Sequence, residues 1–119
     1  MFKSRRDLDT LHDIQDAIGR AIDYTNGMTW EDYLRDPKTQ DAVVRNLEVL
    51  GEAAKDLSEE IRARYPAIPW RDMMGTRDRL IHHYFGINQE IVWQIVRQDL
   101  PGLRLQIEQV ISDYPAGEE

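Results

Sequence analysis

Apolar residues recur along the chain at alternating steps of three and four residues, the spacing that places side chains on one face of a helix. This pattern predicts a first helix that ends at Asn26-Gly27 and a second that starts after Asp36-Pro37 and ends before Pro66. The apolar stripe of the first helix comprises Leu8, Leu11, Ile14 or Gln15, Ile18 and Ile22. The stripe of the second comprises Val43, Leu47, Leu50, Ala54, Leu57 and Ile61.

Three more helices are predicted in the second half of the chain. The third begins near Pro69-Trp70 and continues to Gly86, and Asn88 caps the fourth, which Pro101-Gly102 separates from the fifth. The inward positions of the last two helices are Ile91, Val92, Ile95, Val96, Leu103, Ile107, Val110 and Ile111. Because no strand-like alternation between hairpin turns appears, we expect an all-α fold, an antiparallel bundle of four or five helices.

Two local signals refine this picture. Thr29 is followed three residues later by Asp32, a near capping-box pattern that predicts a short helical turn. Gly51 lies beside the stripe of the second helix, where a glycine costs about 1 kcal/mol relative to alanine. A glycine at that position indicates that another backbone crosses the helix closely.

Composition and charge limit the class of protein. The 119 residues, 41% hydrophobic and 31% charged, suffice for one globular domain, 1–119, with a frayed C-terminal tail. No apolar run reaches about 18 residues, the N-terminus leads straight into charge, and cysteine is absent, so we expect a cytoplasmic protein without a membrane span or signal peptide. The net charge of −7 argues against holding long nucleic acid by bulk electrostatics, so any contact with a polyanion must be local.

One helical stripe contains a charge. In the third predicted helix, one face is formed by Trp70, Met74, Arg77, Ile81 and Tyr84, so that a cation occupies a core-type position. Arginine is almost never fully buried without a partner. Either an internal carboxylate pairs with this arginine, or the face borders a polar cavity.

Arg77, His82 and Tyr84 together suit cleavage of an RNA phosphodiester without a metal. Histidine moves protons near neutral pH, arginine stabilises charge on a phosphate, and tyrosine donates a hydrogen bond or stacks on a base. On a straight helix, however, His82 projects about 140° away from Arg77, whereas Tyr84 lies within about 20° of it. Three arrangements resolve this: the helix ends or distorts near Phe85, the arginine side chain wraps around it, or the site combines two chains across a two-fold axis.

The pattern Arg77-x4-His82-x-Tyr84, followed by Phe85-Gly-Ile-Asn, resembles the signature of the HepT toxins, within the HEPN superfamily of small all-α ribonucleases. Further segments similar to that family are 45–55, 65–70, 89–93 and 99–103. The resemblance covers most of the chain and is strongest from about residue 41 to 103. One mild departure is Thr76, where a methionine is expected.

The resemblance implies an endoribonuclease that works without metal or other cofactor, as a homodimer in which Arg77 and His82 of both chains line a shared cleft. It also implies the toxin of a toxin–antitoxin system, whose partner is a nucleotidyltransferase of the MntA type that transfers AMP from ATP onto Tyr84. The bulky, anionic nucleotide then takes the place of substrate phosphate and disfavours RNA. RNA is the expected substrate, and neither DNA nor a membrane is an expected partner.

Three neighbours of the motif are expected to support it. Asp78 stands where the family often has asparagine, and it either orients the catalytic pair or weakens RNA binding through its charge. His83 and Arg79 are expected to add a substrate contact and local positive charge. The alternative function is a non-catalytic helical module that binds a nucleotide or a protein and serves only as partner or substrate of the nucleotidyltransferase. Net acidity favours that module, whereas the intact pair of Arg77 and His82 favours the nuclease.

Overall fold

The computed structural model describes residues 5–81 and 86–114. Its helices are α1 (Arg5–Tyr24), α2 (Trp30–Leu34), α3 (Pro37–Asp56), α4 (Glu59–Arg64), α5 (Trp70–Met74), α6 (Thr76–Leu80), α7 (Gln89–Gln94), a π-helical turn (Ile95–Asp99) and α8 (Leu100–Asp113). Within the described residues no strand is longer than a single bridge. The all-α class is therefore confirmed.

Helix α1 packs along α3 and α8 and runs antiparallel to both. In its first turn, Arg6 pairs with Asp56 in the last turn of α3, with an N–O distance of 2.8 Å. Just beyond its other end, the Thr25 carbonyl accepts a hydrogen bond of 2.5 Å from Arg97, which precedes α8. The seam between α1 and α3 is thus a long, two-helix surface that is open to solvent on one side.

The predicted stripes of the first two helices form much of the core. All six members of the second stripe are at most 3% exposed. In α1, Leu11, Ile14 and Ile18 are fully buried, so Ile14 rather than Gln15 is the inward residue. The periodicity of apolar positions was therefore sufficient to locate the packed faces of α1 and α3.

The second predicted helix is divided in two. Leu57 is extended and buried, and the hydroxyl of Ser58 accepts the N–H of Ile61 to begin α4. Asp7 of α1 accepts hydrogen bonds from both the N–H and the hydroxyl of Ser58, at 3.0 and 2.8 Å. These bonds satisfy polar groups at the break, which a continuous apolar stripe does not reveal.

The third predicted helix is also divided, at Gly75, and ends early, at Leu80. The hydroxyl of Thr76 donates to the carbonyl oxygens of Met73 and Asp72, at 2.7 and 3.1 Å. Such bonds from a threonine back to its own helix compete with the backbone ladder and bend the helix. The motif helix is therefore interrupted at Gly75, two residues before Arg77.

The predicted interruption at Pro101-Gly102 is wrong, because the helix continues from Gln89 to Asp113. The π-helical turn precedes the proline, and the N–H of Leu100 bonds to the carbonyl of Ile95 five residues earlier. A proline lacks an N–H and crowds the carbonyl four residues before it, and the wider turn accommodates both effects.

Both predicted helix caps are confirmed. Thr29 and Asp32 form a reciprocal capping box with two bonds of 3.1 Å. The side chain of Asn88 accepts the N–H groups of Glu90 and Ile91, at 3.1 and 3.2 Å. Each cap satisfies N–H groups that have no partner within the helix.

The close backbone crossing predicted at Gly51 is confirmed. A Cβ atom at this position would lie 2.8 Å from the carbonyl oxygen of Met73, a backbone atom of α5. It would also lie 3.6 Å from Cβ of Thr76. Gly51 thus lets the two short helices that lead to Arg77 lie directly against α3.

We expect Gly51→Ala to lower the free energy of unfolding by about 1 to 2 kcal/mol, because overpacking against a backbone oxygen outweighs the gain in helix propensity. Gly102→Ala is the matched control, since nothing lies within 4 Å of a Cβ added at this helical position. The control should gain up to about 1 kcal/mol. Urea unfolding followed by circular dichroism measures both changes, and a stabilising effect of Gly51→Ala would contradict the close crossing.

Candidate functional site

The break at Gly75 determines which side chains of the motif helix are buried. The inward positions, each at most 6% exposed, are Trp70, Met73, Thr76 and Leu80. Arg77 is exposed, and Ile81 is 44% exposed. The predicted stripe through Met74, Arg77 and Ile81 is therefore wrong beyond Trp70. Thr76 is buried in place of Arg77 because its hydroxyl donates hydrogen bonds to nearby carbonyl oxygens, whereas the guanidinium of Arg77 stays in solvent.

After α6 the chain is held by backbone bonds on either side of the second half of the motif. Ile81 is extended and forms an antiparallel bridge with Ile87, and the N–H of Asn88 donates to the carbonyl of Leu80 at 2.8 Å. Gly86 has a φ of +80°, a conformation that glycine adopts without strain. The end of α6 and the start of α7 are thus fixed to each other.

The remaining motif residues, His82, His83, Tyr84 and Phe85, lie outside the described residues. Their predicted roles stay predictions. The projection of His82 away from Arg77 assumed one straight helix, and that assumption is wrong because the helix ends at Leu80. Helical geometry alone consequently no longer argues for or against a site shared between two chains.

Arg77 lies in an open groove on the seam between α1 and α3, which we call the Arg77 groove. Its volume is about 620 Å³, and its lining residues are Asp13, Arg45, Glu48, Val49, Glu52, Ala53, Asp56 and Arg77. Across residues 5–81 and 86–114, no hydrogen bond or ion pair joins the Arg77 guanidinium to another side chain. Both predicted surroundings assumed a buried arginine, and that assumption is wrong, because Arg77 is exposed and borders an open polar groove.

Two of the carboxylates in this groove are neutralised by cations from outside it. Asp56 accepts two hydrogen bonds from Arg6, at 2.8 and 3.0 Å. Glu52 pairs with Lys55, at an N–O distance of 3.1 Å. These exposed pairs contribute little to stability, but they leave the donors of Arg77 available to a ligand.

Arg79 lines a different groove, although it stands only two residues from Arg77. That groove has a volume of about 520 Å³ and lies between α3, α5 and the helix from α7 to α8, with Thr76, Asp72 and Leu103 among its lining residues. Residues two apart on a helix project about 160° from each other, which explains the separation. Asp78 is exposed between the two arginines and lines neither groove.

Two residues gain importance that sequence reasoning did not assign to them. Thr76 was regarded as a departure from a family pattern, yet its side chain is buried and bends the motif helix. Arg45 was assigned no role of its own, yet it shares a groove with Arg77. A polar residue at an inward helical position was the available signal for Thr76, whereas the position of Arg45 depends on the tertiary fold.

None of the helices in the described parts of the chain is both long and apolar enough to cross a membrane.

The fold and the groove define a small all-α protein that presents an exposed guanidinium fork, the geometry that suits phosphate. The family described as ribonuclease HepT-like matches residues 14–110, and the chain belongs to this family. The resemblance seen in the sequence is thereby confirmed.

Similar proteins agree with this assignment. The chain is 49% identical over 109 residues to a protein of Methanocaldococcus jannaschii named as a candidate RNase, covering 92% of this chain and 90% of that protein. It is 42% identical over 102 residues to the probable ribonuclease HepT of Thermococcus cleftensis, covering 86% and 93%. A candidate RNase of Caldanaerobacter subterraneus is 39% identical over 91 residues, covering 76% and 81%. No solved structure gives a significant match.

Proposed function

We propose that this chain is the RNA-cleaving toxin of a toxin–antitoxin pair and acts in the cytoplasm. The observation that carries the proposal is the Arg77 guanidinium, exposed in a groove and without a carboxylate partner in the described parts of the chain, in a member of a ribonuclease family. An exposed guanidinium contacts a phosphate with two parallel hydrogen bonds and stabilises the charge that develops during cleavage.

In the proposed reaction, His82 removes the proton of a ribose 2′-hydroxyl, whose oxygen then attacks the adjacent phosphorus. The bond from that phosphorus to the 5′-oxygen breaks, and a protonated imidazole returns a proton to the leaving oxygen. The products are a 2′,3′-cyclic phosphate and a 5′-hydroxyl, so atoms and protons balance without a metal. We propose that the chain acts as a homodimer in which Arg77 and His82 of both chains form a shared cleft, with Asp78 and His83 as supporting residues.

Cleavage in the presence of a chelator tests this proposal. Purified protein incubated with single-stranded RNA and excess EDTA should yield fragments with cyclic phosphate ends, identified by mass spectrometry. His82→Ala is the control for contaminating nuclease, because it removes only the proposed proton carrier. Intact RNA with the wild-type chain would reject the nuclease and favour the alternative of a non-catalytic module.

We further propose that Tyr84 is the acceptor of AMP from a cognate nucleotidyltransferase. The phenolic oxygen attacks the α-phosphorus of ATP, the bond to the β-phosphate oxygen breaks, pyrophosphate leaves, and the phenolic proton passes to solvent. We propose that this bulky anionic group takes the position of the substrate phosphate and repels RNA.

Co-expression of the chain with a nucleotidyltransferase encoded beside it is expected to add one or more AMP groups at Tyr84, detected by intact mass and peptide mapping. Tyr84→Phe should stay unmodified, because it lacks the acceptor oxygen. Tyr24→Phe is the matched control, since Tyr24 is 44% exposed and its substitution should leave modification unchanged. Modification that persists in Tyr84→Phe would assign the acceptor elsewhere.

A further inference from the structure

The Arg77 groove continues along the seam between α1 and α3. A second groove of about 370 Å³ is lined by Asp13, Asp16, Ala17, Arg20, Tyr24, Arg45, Asn46 and Val49. Three residues line both grooves: Asp13, Arg45 and Val49. We call the two grooves together the seam channel, since they form one path from Arg77 to Tyr24.

The channel follows from the antiparallel pairing of two helices. The lining residues of α1 recur at steps of three and four, as do those of α3, so each helix contributes one face. The α1 part extends from Asp13 to Tyr24, which corresponds to about 16 Å at 1.5 Å per residue. That length exceeds the contact of one arginine with one phosphate and suits several consecutive nucleotides.

Arginines are placed along the whole channel: Arg77 at one end, Arg45 where the grooves join, and Arg20 towards the other end. In the parts of the chain that the structure describes, none of the three forms a hydrogen bond or ion pair through its side chain. Their donors are directed at no protein acceptor there. A ligand with repeated acceptors can therefore engage them in sequence.

The lining of the channel contains five carboxylates and three arginines, and two cations beside it, Arg6 and Lys55, bring the local sum of charges to zero. Its carboxylates Glu52 and Asp56 are paired with Lys55 and Arg6. The other carboxylates of its lining are Asp13, Asp16 and Glu48, which match the three arginines in number. With its charges balanced in this way, the channel repels a polyanion less than the rest of a chain whose net charge is −7.

An aromatic side chain stands at the far end of the channel. Tyr24 is 44% exposed and lines the second groove with Arg20. Arginines that follow a backbone, together with an exposed aromatic ring that stacks on a base, are the combination by which proteins hold single-stranded nucleic acid.

We propose that the seam channel holds the single-stranded RNA beyond the cleavage position, with Arg45 and Arg20 each contacting a phosphate and Tyr24 stacking on a base. This inference rests on the proposed function and assigns to it a substrate-binding surface on α1 and α3. The carboxylates Asp13, Asp16 and Glu48 weaken the interaction, which limits the retention of RNA after cleavage.

The channel is tested by measuring the binding of a fluorescently labelled single-stranded RNA by anisotropy. Every variant also carries His82→Ala, so that the RNA is not cleaved during the measurement. We expect Arg45→Ala, Arg20→Ala and Tyr24→Ala each to weaken binding several-fold. Each arginine variant should also reduce the slope of log affinity against log salt by about 0.7, because one phosphate contact is lost. Asp13→Asn should tighten binding several-fold.

Arg35→Ala is the matched control, since Arg35 is exposed, follows α2 and lines neither groove. It changes the net charge as Arg45→Ala and Arg20→Ala do, and it should change affinity less than twofold. Equal effects of Arg45→Ala and Arg35→Ala, or no tightening by Asp13→Asn, would overturn the inference. A change in oligomeric state with Arg45→Ala, in place of a change in RNA affinity, would also overturn it and assign the channel to contact between copies.

The outcomes separate this inference from the proposed function. If the wild-type chain leaves RNA intact but the variants change affinity as expected, the channel is supported and the nuclease alone fails. If RNA is cleaved while the channel variants bind as the control does, the nuclease stands and the channel fails. In active chains, Arg45→Ala should raise KM more than it lowers kcat, because Arg45 contacts RNA away from the reacting phosphate.

Discussion

Arg77→Ala is expected to lower the turnover of RNA cleavage by about 10²- to 10³-fold, the loss typical when one group that stabilises transition-state charge is removed. The chain should remain folded, since Arg77 is exposed and its side chain makes no bond within the described residues. Arg77→Lys keeps the charge but loses the planar fork of donors, so its turnover should lie between those of the wild type and the alanine variant.

The neighbouring arginine of the same short helix supplies the comparison. Arg79→Ala changes the net charge identically, but Arg79 lines the groove on the other side of α6. We expect the cleavage rate of Arg79→Ala to fall much less than that of Arg77→Ala. Single-turnover cleavage with protein in excess over RNA measures both rates. If Arg79→Ala is impaired as severely as Arg77→Ala, the substrate lies in the other groove. If Arg77→Ala retains turnover within about threefold of the wild type, Arg77 has no role in the chemistry.

The spacing of apolar residues along the chain correctly predicted the features that depend on one helix alone. The stripes of α1 and α3 are buried, Thr29 and Asn88 cap helices, and Gly51 lies beneath another backbone. Each of these features depends on one helix or on the size of one side chain. Sequence alone is therefore informative about them.

The wrong predictions concern helix positions where hydrogen bonds to the backbone or a local change in helix geometry decide the structure. A stripe through Arg77 was as regular as the stripe that is buried, and the choice between them depends on the hydroxyl bonds of Thr76 and on the packing of Met73 against Gly51. Similarly, Pro101 was expected to end a helix. The π-helical turn before it accommodates the missing N–H and the bulk of the proline ring, so the helix continues. Such compensation involves several residues at once and leaves no periodic signal.

Among the described residues, the Arg77 groove lacks some of the groups that RNA cleavage requires. It is open, and its carboxylates supply no proton donor or acceptor in a position enclosed from water. The reaction needs a group that takes a proton and later returns one. In the proposed shared cleft, one His82 serves both steps, and the Arg77 that works with it belongs to the second copy of the chain.

Co-expression of an Arg77→Ala chain with a His82→Ala chain is therefore expected to restore activity, although each variant alone is nearly inactive. Half of the dimers formed at random are mixed, and one of the two arginine–histidine pairs in each is intact if the partners of a pair come from different chains. Turnover should thus recover to about a quarter of the wild-type value, and to about half after mixed dimers are purified through two different affinity tags.

The control is a mixture of the Arg77→Ala chain with a chain that carries both substitutions, in which no intact pair forms under any arrangement. Recovery in the first mixture but not in the second shows that one site draws Arg77 from one chain and His82 from the other. No recovery in purified mixed dimers means that each site uses Arg77 and His82 of the same chain. In that case the end of α6 at Leu80, rather than a second copy, must bring the two side chains together, and the proposed shared cleft is wrong.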